Sequence, residues 1–329
     1  MEVNLNEPFK GLLIACALIA AVAGCRYEPP AGYAAEGDGR VYEEWRERRL
    51  TSLQSENGYL TLVGLHWLTA GSHRIGSHPS NDIVVAGLPE RAGAIVVDRL
   101  PSGEDDHGEV RFIPVEATRL TSRTNSLDGP IEMVSDVRAN QLEEEPTTLI
   151  SGTTSFYLIE RDGRLGIRVL DSESDTRVNF HGIETYPRSS EWRITGRFVP
   201  FDRMRIVEVN DISGGMQRME SPGRIHFEHD GWKLTLDVYD SGDNYFIIFR
   251  DQTSGEETYG AGRYLYTETT AAEDGSIVVD FNRAYNPPCA FTPFATCPLP
   301  PRQNWLPIRV EAGEKDYHLH DDATEAAGA

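Results

Sequence analysis

TTLISGTTSFYLIERDGRLGIRVLD, Thr147 to Asp171, alternates apolar and polar residues on either side of Arg161-Asp162-Gly163. Alternation with a period of two places successive side chains on opposite faces of an extended chain. An Asp-Gly pair between two such runs is a hairpin turn, because glycine accepts the positive φ that a tight turn demands. The segment is therefore a pair of antiparallel strands. The same grammar recurs across most of the chain. Tyr59 to Leu68 (YLTLVGLHWL) is a dense strand-forming run, Gly71–Gly76 is a turn with a short strand, and Ser80-Asn81-Asp82 precedes an apolar Ile83-Val84-Val85. Pro89 to Gly93 leads into AIVVDRL. Further on, Glu191–Val199 and Arg205–Val209 are strand-like, Gly231–Tyr239 (GWKLTLDVY) alternates cleanly, and YFIIF (Tyr245–Phe249) is apolar throughout, as in a strand central to its sheet. Many short strands separated by turns give a mostly β chain of two packed units, a sandwich and a second barrel or sandwich.

The one helical pattern lies near the N-terminus. In Val41–Leu53, Tyr42, Trp45, Arg49 and Leu53 recur at helical spacing, and Asn57-Gly58 stops the run. This divides the chain into residues 1–24, a tether at 25–40, an amphipathic helix at 41–57, a sandwich at 58–172, a second β domain at 173–317 and an acidic tail at 318–329. The polar break Ser172–Asp175 marks the boundary between the two β units.

Residues 11–23 form an apolar run too short to span a bilayer, ending Val22-Ala23-Gly24-Cys25. The pattern resembles the bacterial lipobox, which implies cleavage of a signal peptide, lipidation of Cys25 with palmitate among its acyl chains, and attachment to a cell-envelope membrane facing the periplasm or exterior. The Pro- and Gly-rich stretch 27–40 then reads as the tether. Net charge is −21, with lysine only at Lys10, Lys233 and Lys315. Such acidity repels nucleic acid and anionic membranes, so membrane contact is expected through the lipid anchor alone. Dense carboxylate with arginine in place of lysine is the composition of a salt-adapted surface.

Chemistry-bearing residues gather between Arg263 and Cys297. Arg263, Tyr264, Asn282, Arg283, Tyr285 and Asn286 supply planar donors, phenols and amides suited to clamping a small anionic or polar ligand. The competing reading pairs the arginines with Asp251 and Asp280 and packs the tyrosines. Gly260 and Gly262 permit close backbone approach beside Arg263. Cys289 and Cys297 are the thiols that remain once Cys16 leaves with the signal and Cys25 is acylated. They read as a disulfide stapling a proline-rich loop, as half of a metal site completed by His181, His226 or His229, or as buried or reactive thiols. His226 and His229 face opposite sides of a strand, and His318 and His320 lie in the acidic tail. No G-x-S-x-G, H-E-x-x-H, G-x-G-x-x-G or phosphate-loop motif occurs, and no cofactor is implied.

Two resemblances follow from these motifs. W-L-x-x-G-x-x-R-I-G-S-x-P-S-N-D-I-V-V, Trp67 to Val85, is similar to the opening strands of forkhead-associated domains, an eleven-stranded sandwich that reads phosphothreonine. Ser77 and the turn Pro89–Ala92 stand where that family places ligand-binding residues, so the resemblance implies the scaffold without the phosphopeptide function. The set L-x-G-L-H-W-L, T-Y-G-A-G-R-Y-L, D-F-N-R-A-Y-N-P-P-C-A-F-T-P-F-A-T-C-P-L-P-P and A-G-E-K resembles the family known as domain of unknown function 1684, over Tyr59 to Lys315. That resemblance implies no activity. The functions left open are small-ligand binding through the Arg/Tyr/Asn loop, a hydrolytic or redox enzyme using the same loop, and a structural envelope module.

Overall fold

The computed structural model describes residues 39–102, 106–115, 120–122, 131–133 and 146–317. The lipobox-like sequence with Cys16 and Cys25, most of the tether, and the tail with His318 and His320 lie outside them. Helix α1 (Gly39–Leu53) buries Tyr42, Trp45, Arg49 and Leu53. It ends at Leu53, short of residue 57, because the chain doubles back there. A Cβ on Gly58 would meet the Leu53 carbonyl at 2.3 Å.

The chain is mostly β. The first unit contains β1 (Leu62–Trp67), β2 (Gly71–Gly76), β3 (Ile83–Val84), β4 (Gly93–Arg99), β5 (Glu109–Pro114), β6 (Thr121–Ser122), β7 (Ile131–Glu132), β8 (Thr148–Ser151), β9 (Thr154–Arg161) and β10 (Arg164–Asp171). They form two five-stranded sheets, ordered β1-β10-β9-β8-β6 and β3-β2-β4-β5-β7. The quoted stretch is β8–β10, with Arg161 paired to Arg164 across the expected turn and Asp162 and Gly163 both at positive φ. Ile75, Ile95 and Phe112 from one sheet meet Phe156, Leu158 and Ile167 from the other in a single apolar core. Alternation explains this: the inward residues of both sheets are the apolar ones.

After the one-turn α2 (Asp175–Val178), capped by Ser174, comes the second sheet system. It contains β11 (Arg193–Asn210), β12 (Met216–His229), β13 (Trp232–Asp240), β14 (Tyr245–Phe249), β15 (Arg263–Tyr266) and β16 (Ser276–Asp280), in the order β15-β14-β13-β12-β11-β16. The two strand-like runs expected at 191–199 and 205–209 are one continuous strand. Between Pro200 and Arg205 its register shifts, so that the four residues 201–204 bulge opposite the single residue Pro222. Proline lacks the amide that would continue the ladder there.

Around β13 to β15 this six-stranded sheet is buried on both faces. One face carries Leu234, Leu236, Val238, Ile247, Phe249 and Leu265. The other carries Val209, Tyr239, Ile248 and Tyr264. YFIIF is apolar throughout because its two sets of side chains enter different cores, and β14 lies between β13 and β15. Leu306–Val310 is not a strand. It runs as an extended segment on the first of these faces, where Leu306, Ile308 and Val310 complete the core. Pro307 breaks any ladder it might join.

Candidate functional site

Asn282–Pro301 wraps from one face of the six-stranded sheet to the other. Phe281 and Ala284 sit in the core of the first face. Tyr285, Cys289, Ala295 and Cys297 sit in the core of the second, beside Tyr42 and Trp45 of α1. The crossing point is the edge strand β15, where Tyr264 and Tyr285 exchange both backbone hydrogen bonds at 2.9 Å. The segment also reaches the first unit. Thr292 Oγ1 donates to the Leu62 carbonyl at 3.0 Å, and Arg168 of β10 donates to Thr296 Oγ1 at 3.4 Å. It is the place where α1, the sandwich and the second sheet meet.

Each candidate ligand residue is engaged within the protein. Arg263 is wholly enclosed (0% exposed). One of its terminal nitrogens donates to the Ala312 and Glu314 carbonyls; the other donates to Val310 O at 2.9 Å and Asp251 Oδ1 at 3.3 Å. Asp251 Oδ2 in turn accepts from Val310 N at 2.7 Å and from Thr253 Oγ1 at 2.8 Å. Burial pulls the Arg263 guanidinium below its ordinary value, and the Asp251 carboxylate opposes that shift. The pair thus ties the extended segment 310–314 to β15. Gly262, at φ +96°, allows this approach: a Cβ there would meet Phe249 O and Pro300 Cγ at 2.5 Å. The close neighbour that glycine admits is the chain's own Pro300.

Arg283 lies with Arg193, Glu268 and Asp280 in a cluster of two arginines and two carboxylates. Arg193 donates to both Glu268 oxygens, at 2.7 and 2.9 Å, and Arg283 approaches Glu268 at 3.3 Å and Asp280 at 3.7 Å. Asn282 exchanges two hydrogen bonds with the Ser189 backbone, at 2.8 and 2.9 Å. Asn286 donates through its amide nitrogen to Lys315 O and through its backbone to Glu314 Oε2, both at 2.7 Å. Tyr264 donates to Pro298 O at 2.8 Å, and burial raises its phenol well above the ordinary value. Of the two readings open from the sequence, pairing with Asp251 and Asp280 is the one the geometry displays.

Three contributors had weaker sequence signals. Arg49, at the third position of the helical stripe, donates to Glu314 at 3.1 Å and to Asn286 O at 2.8 Å, and lies 4.7 Å over the Tyr285 ring. Its position among buried residues was the signal. Glu314, the acid of A-G-E-K, receives both Arg49 and Asn286 N. Asn304 wedges between β13 and β14 where they diverge. Its side chain donates to Asp237 O and Ile248 O and accepts from Asp237 N at 2.7 Å, replacing ladder bonds that the strands cannot make with each other. Nothing in RQNW marks that role.

Of the three readings open for Cys289 and Cys297, the structure displays buried free thiols and no disulfide. The Cys289 amide donates to Cys297 Sγ at 3.1 Å. Among the described residues no three His, Cys, Asp or Glu side chains are grouped to hold a metal ion. His229 lies against Trp192 with ring centroids 4.2 Å apart, while His181 and His226 are exposed.

Residues 178–315 match the family described as "Protein of unknown function (DUF1684)". An uncharacterized protein of Haloarcula marismortui, known from a solution structure, is 30% identical over a match covering 44% of this chain and 81% of that one, with a TM-score of 0.38. The second half of this chain is a DUF1684 region. No curated protein matches it. The DUF1684 match takes in β11 to β16, the joint loop and the 306–315 segment, so every partner of Arg263 lies inside it. It stops short of the first sandwich and of α1.

Proposed function

We propose that this protein is a lipid-anchored structural module of the cell envelope, in which the Asn282–Pro301 loop joins two β units. The observation that carries the structural half is Arg263, whose guanidinium is fully enclosed and bonded to Asp251 and to three backbone carbonyls of residues 310–314. A charge committed in this way holds chain segments together and is not presented to a ligand. The anchor rests on Val22-Ala23-Gly24-Cys25 after its apolar run, and no helix among the described residues is long and apolar enough to cross a membrane. Labelled palmitate is expected to enter the wild type and not Cys25→Ser; equal labelling of both removes the anchor.

A second reading, binding of a small polar or anionic ligand by the same loop, draws on a separate observation. Arg263 Nε and Asn286 Oδ1 are buried without a hydrogen-bond partner among the described residues. Such atoms cost about 1–3 kcal/mol each unless something meets them. Native mass spectrometry with metal analysis of the purified lipoprotein separates the readings. The structural reading expects the bare acylated mass. A stoichiometric small molecule lost in Asn286→Ala would replace it with the ligand reading.

A further inference from the structure

The thiols are the one pair of nucleophilic side chains that the joint encloses without using. Cys289 and Cys297 lie eight positions apart in one loop, 9% and 4% exposed. Their backbones are fixed by groups outside the loop. Tyr259 Oη donates to Cys289 O at 2.9 Å, the Ile212 amide donates to Cys297 O at 2.9 Å, and Gln217 Nε2 donates to Thr296 O at 2.6 Å. The two cysteine backbones are therefore held in place by the fold, and the Cys289 amide lies 3.1 Å from Cys297 Sγ. Holding two reacting groups in place removes most of the entropy cost of joining them.

The two positions are not equivalent. Cys297 lies deeper, and its sulfur is already engaged by the Cys289 amide. Burial raises its thiol well above the ordinary range. Cys289 is nearer the surface, and hydrogen bonding from Cys297 holds its thiol below the ordinary range, with a smaller contribution from Tyr259. The thiolate is the nucleophile in disulfide exchange, and the more exposed, more acidic thiol reacts first.

We propose that Cys289 and Cys297 form a thiol–disulfide exchange pair, in which Cys289 attacks a disulfide oxidant and Cys297 resolves the mixed disulfide once the joint is assembled. In the first step the Cys289 thiolate forms an S–S bond to one sulfur of the oxidant and expels the other as a thiolate. In the second, the Cys297 sulfur, giving up its proton to solvent, attacks Cys289 and expels the second oxidant thiolate. Two protein thiols lose two electrons and two protons, and one disulfide is reduced to two thiols. The new bond links a backbone tied to Tyr259 with one tied to the β11–β12 turn at Ile212. It would thus brace the second face of the sheet. The proposal rests on the envelope reading only for where an oxidant is met; the chemistry belongs to the folded chain.

The test uses the purified full chain, reduced and then exposed to oxidised glutathione, with adducts located by peptide fragmentation so that Cys16 and Cys25 are scored separately. Wild type is expected to end with Cys289 and Cys297 joined. Cys297→Ser is expected to trap glutathione on Cys289, and Cys289→Ser to carry roughly ten-fold less on Cys297. Should a variant fail to fold, early quenching of wild-type oxidation reads the same order, with the first adduct on Cys289. Equal adducts on both cysteines, first attack at Cys297, or two free thiols remaining in folded wild type would each overturn the proposal.

Discussion

The sandwich and the joint use arginine–carboxylate pairs in opposite ways. In the sandwich, Arg74 meets Asp82 at 3.0 Å and Arg111 meets Asp98 at 2.6 Å, with both partners open to water. Around the joint, Arg263–Asp251 and Arg49–Glu314 are enclosed, and each also fixes backbone of a distant segment. The residue types are the same. What differs is the solvent, and with it the consequence of losing a partner. Exposed pairs are worth about 0–1 kcal/mol, whereas removing one member of a buried pair costs about 3–5 kcal/mol because a charge is left without compensation. The sandwich is held by its apolar core, and the joint by polar groups that only one arrangement satisfies.

The largest expected effect that probes this contrast is Arg263→Met. It leaves Asp251 buried with its partner gone and frees the carbonyls of Val310 and Ala312, so chemical denaturation should show a loss of about 3–5 kcal/mol. A loss below about 1 kcal/mol would place Arg263 with the surface pairs. Asn304→Ala comes next. It strips Asp237 N, Asp237 O and Ile248 O of their side-chain partner and is expected to cost about 2–3 kcal/mol, read the same way. The smallest effect belongs to the sandwich, where Arg74→Ala should leave the denaturation midpoint close to that of the wild type.

Asp82 sharpens the same point through pH. Arg74 hydrogen-bonds its carboxylate and holds the pKa at about 2, below its ordinary value of 3.8. A depressed folded-state pKa means the stabilisation is present above the ordinary value and lost as pH falls through about 2. A carboxyl titration by NMR should find that midpoint in the wild type and a higher one in Arg74→Ala, short of the ordinary value because the residue-74 amide still donates to Asp82. An unchanged midpoint would break the pairing.

Much of the strand content was legible because alternation is a local signal. GWKLTLDVY and the hairpin around Asp162-Gly163 specify their own conformation, and the stripe Tyr42, Trp45, Arg49, Leu53 identified the buried face of α1. The joint was harder to interpret. Arginine, tyrosine and asparagine near glycines and prolines suit a ligand clamp and an internal tie equally well by residue type. The partners that decide between them, Val310, Ala312 and Glu314, lie about fifty positions from Arg263 in sequence. Asp251 and Asp280 were visible as rivals only because they lie near in the chain. Asn304 carried no pattern, since its work is to fill a gap that appears only when β13 and β14 diverge. At Leu306–Val310 apolar alternation is ambiguous, since a strand and a segment lying on a core share it.

The central claim is that the Arg/Tyr/Asn loop is an internal joint, assembled before any ligand arrives. Hydrogen exchange on the ligand-free protein measures this at the amides of Tyr264, Tyr285, Asn286 and Val310, which donate to Tyr285 O, Tyr264 O, Glu314 and Asp251. These amides are expected to exchange as slowly as those of β12 and β13, and added carboxylate or phosphate compounds to leave their rates unchanged. Fast exchange in the free protein that slows when such a compound is added would contradict it.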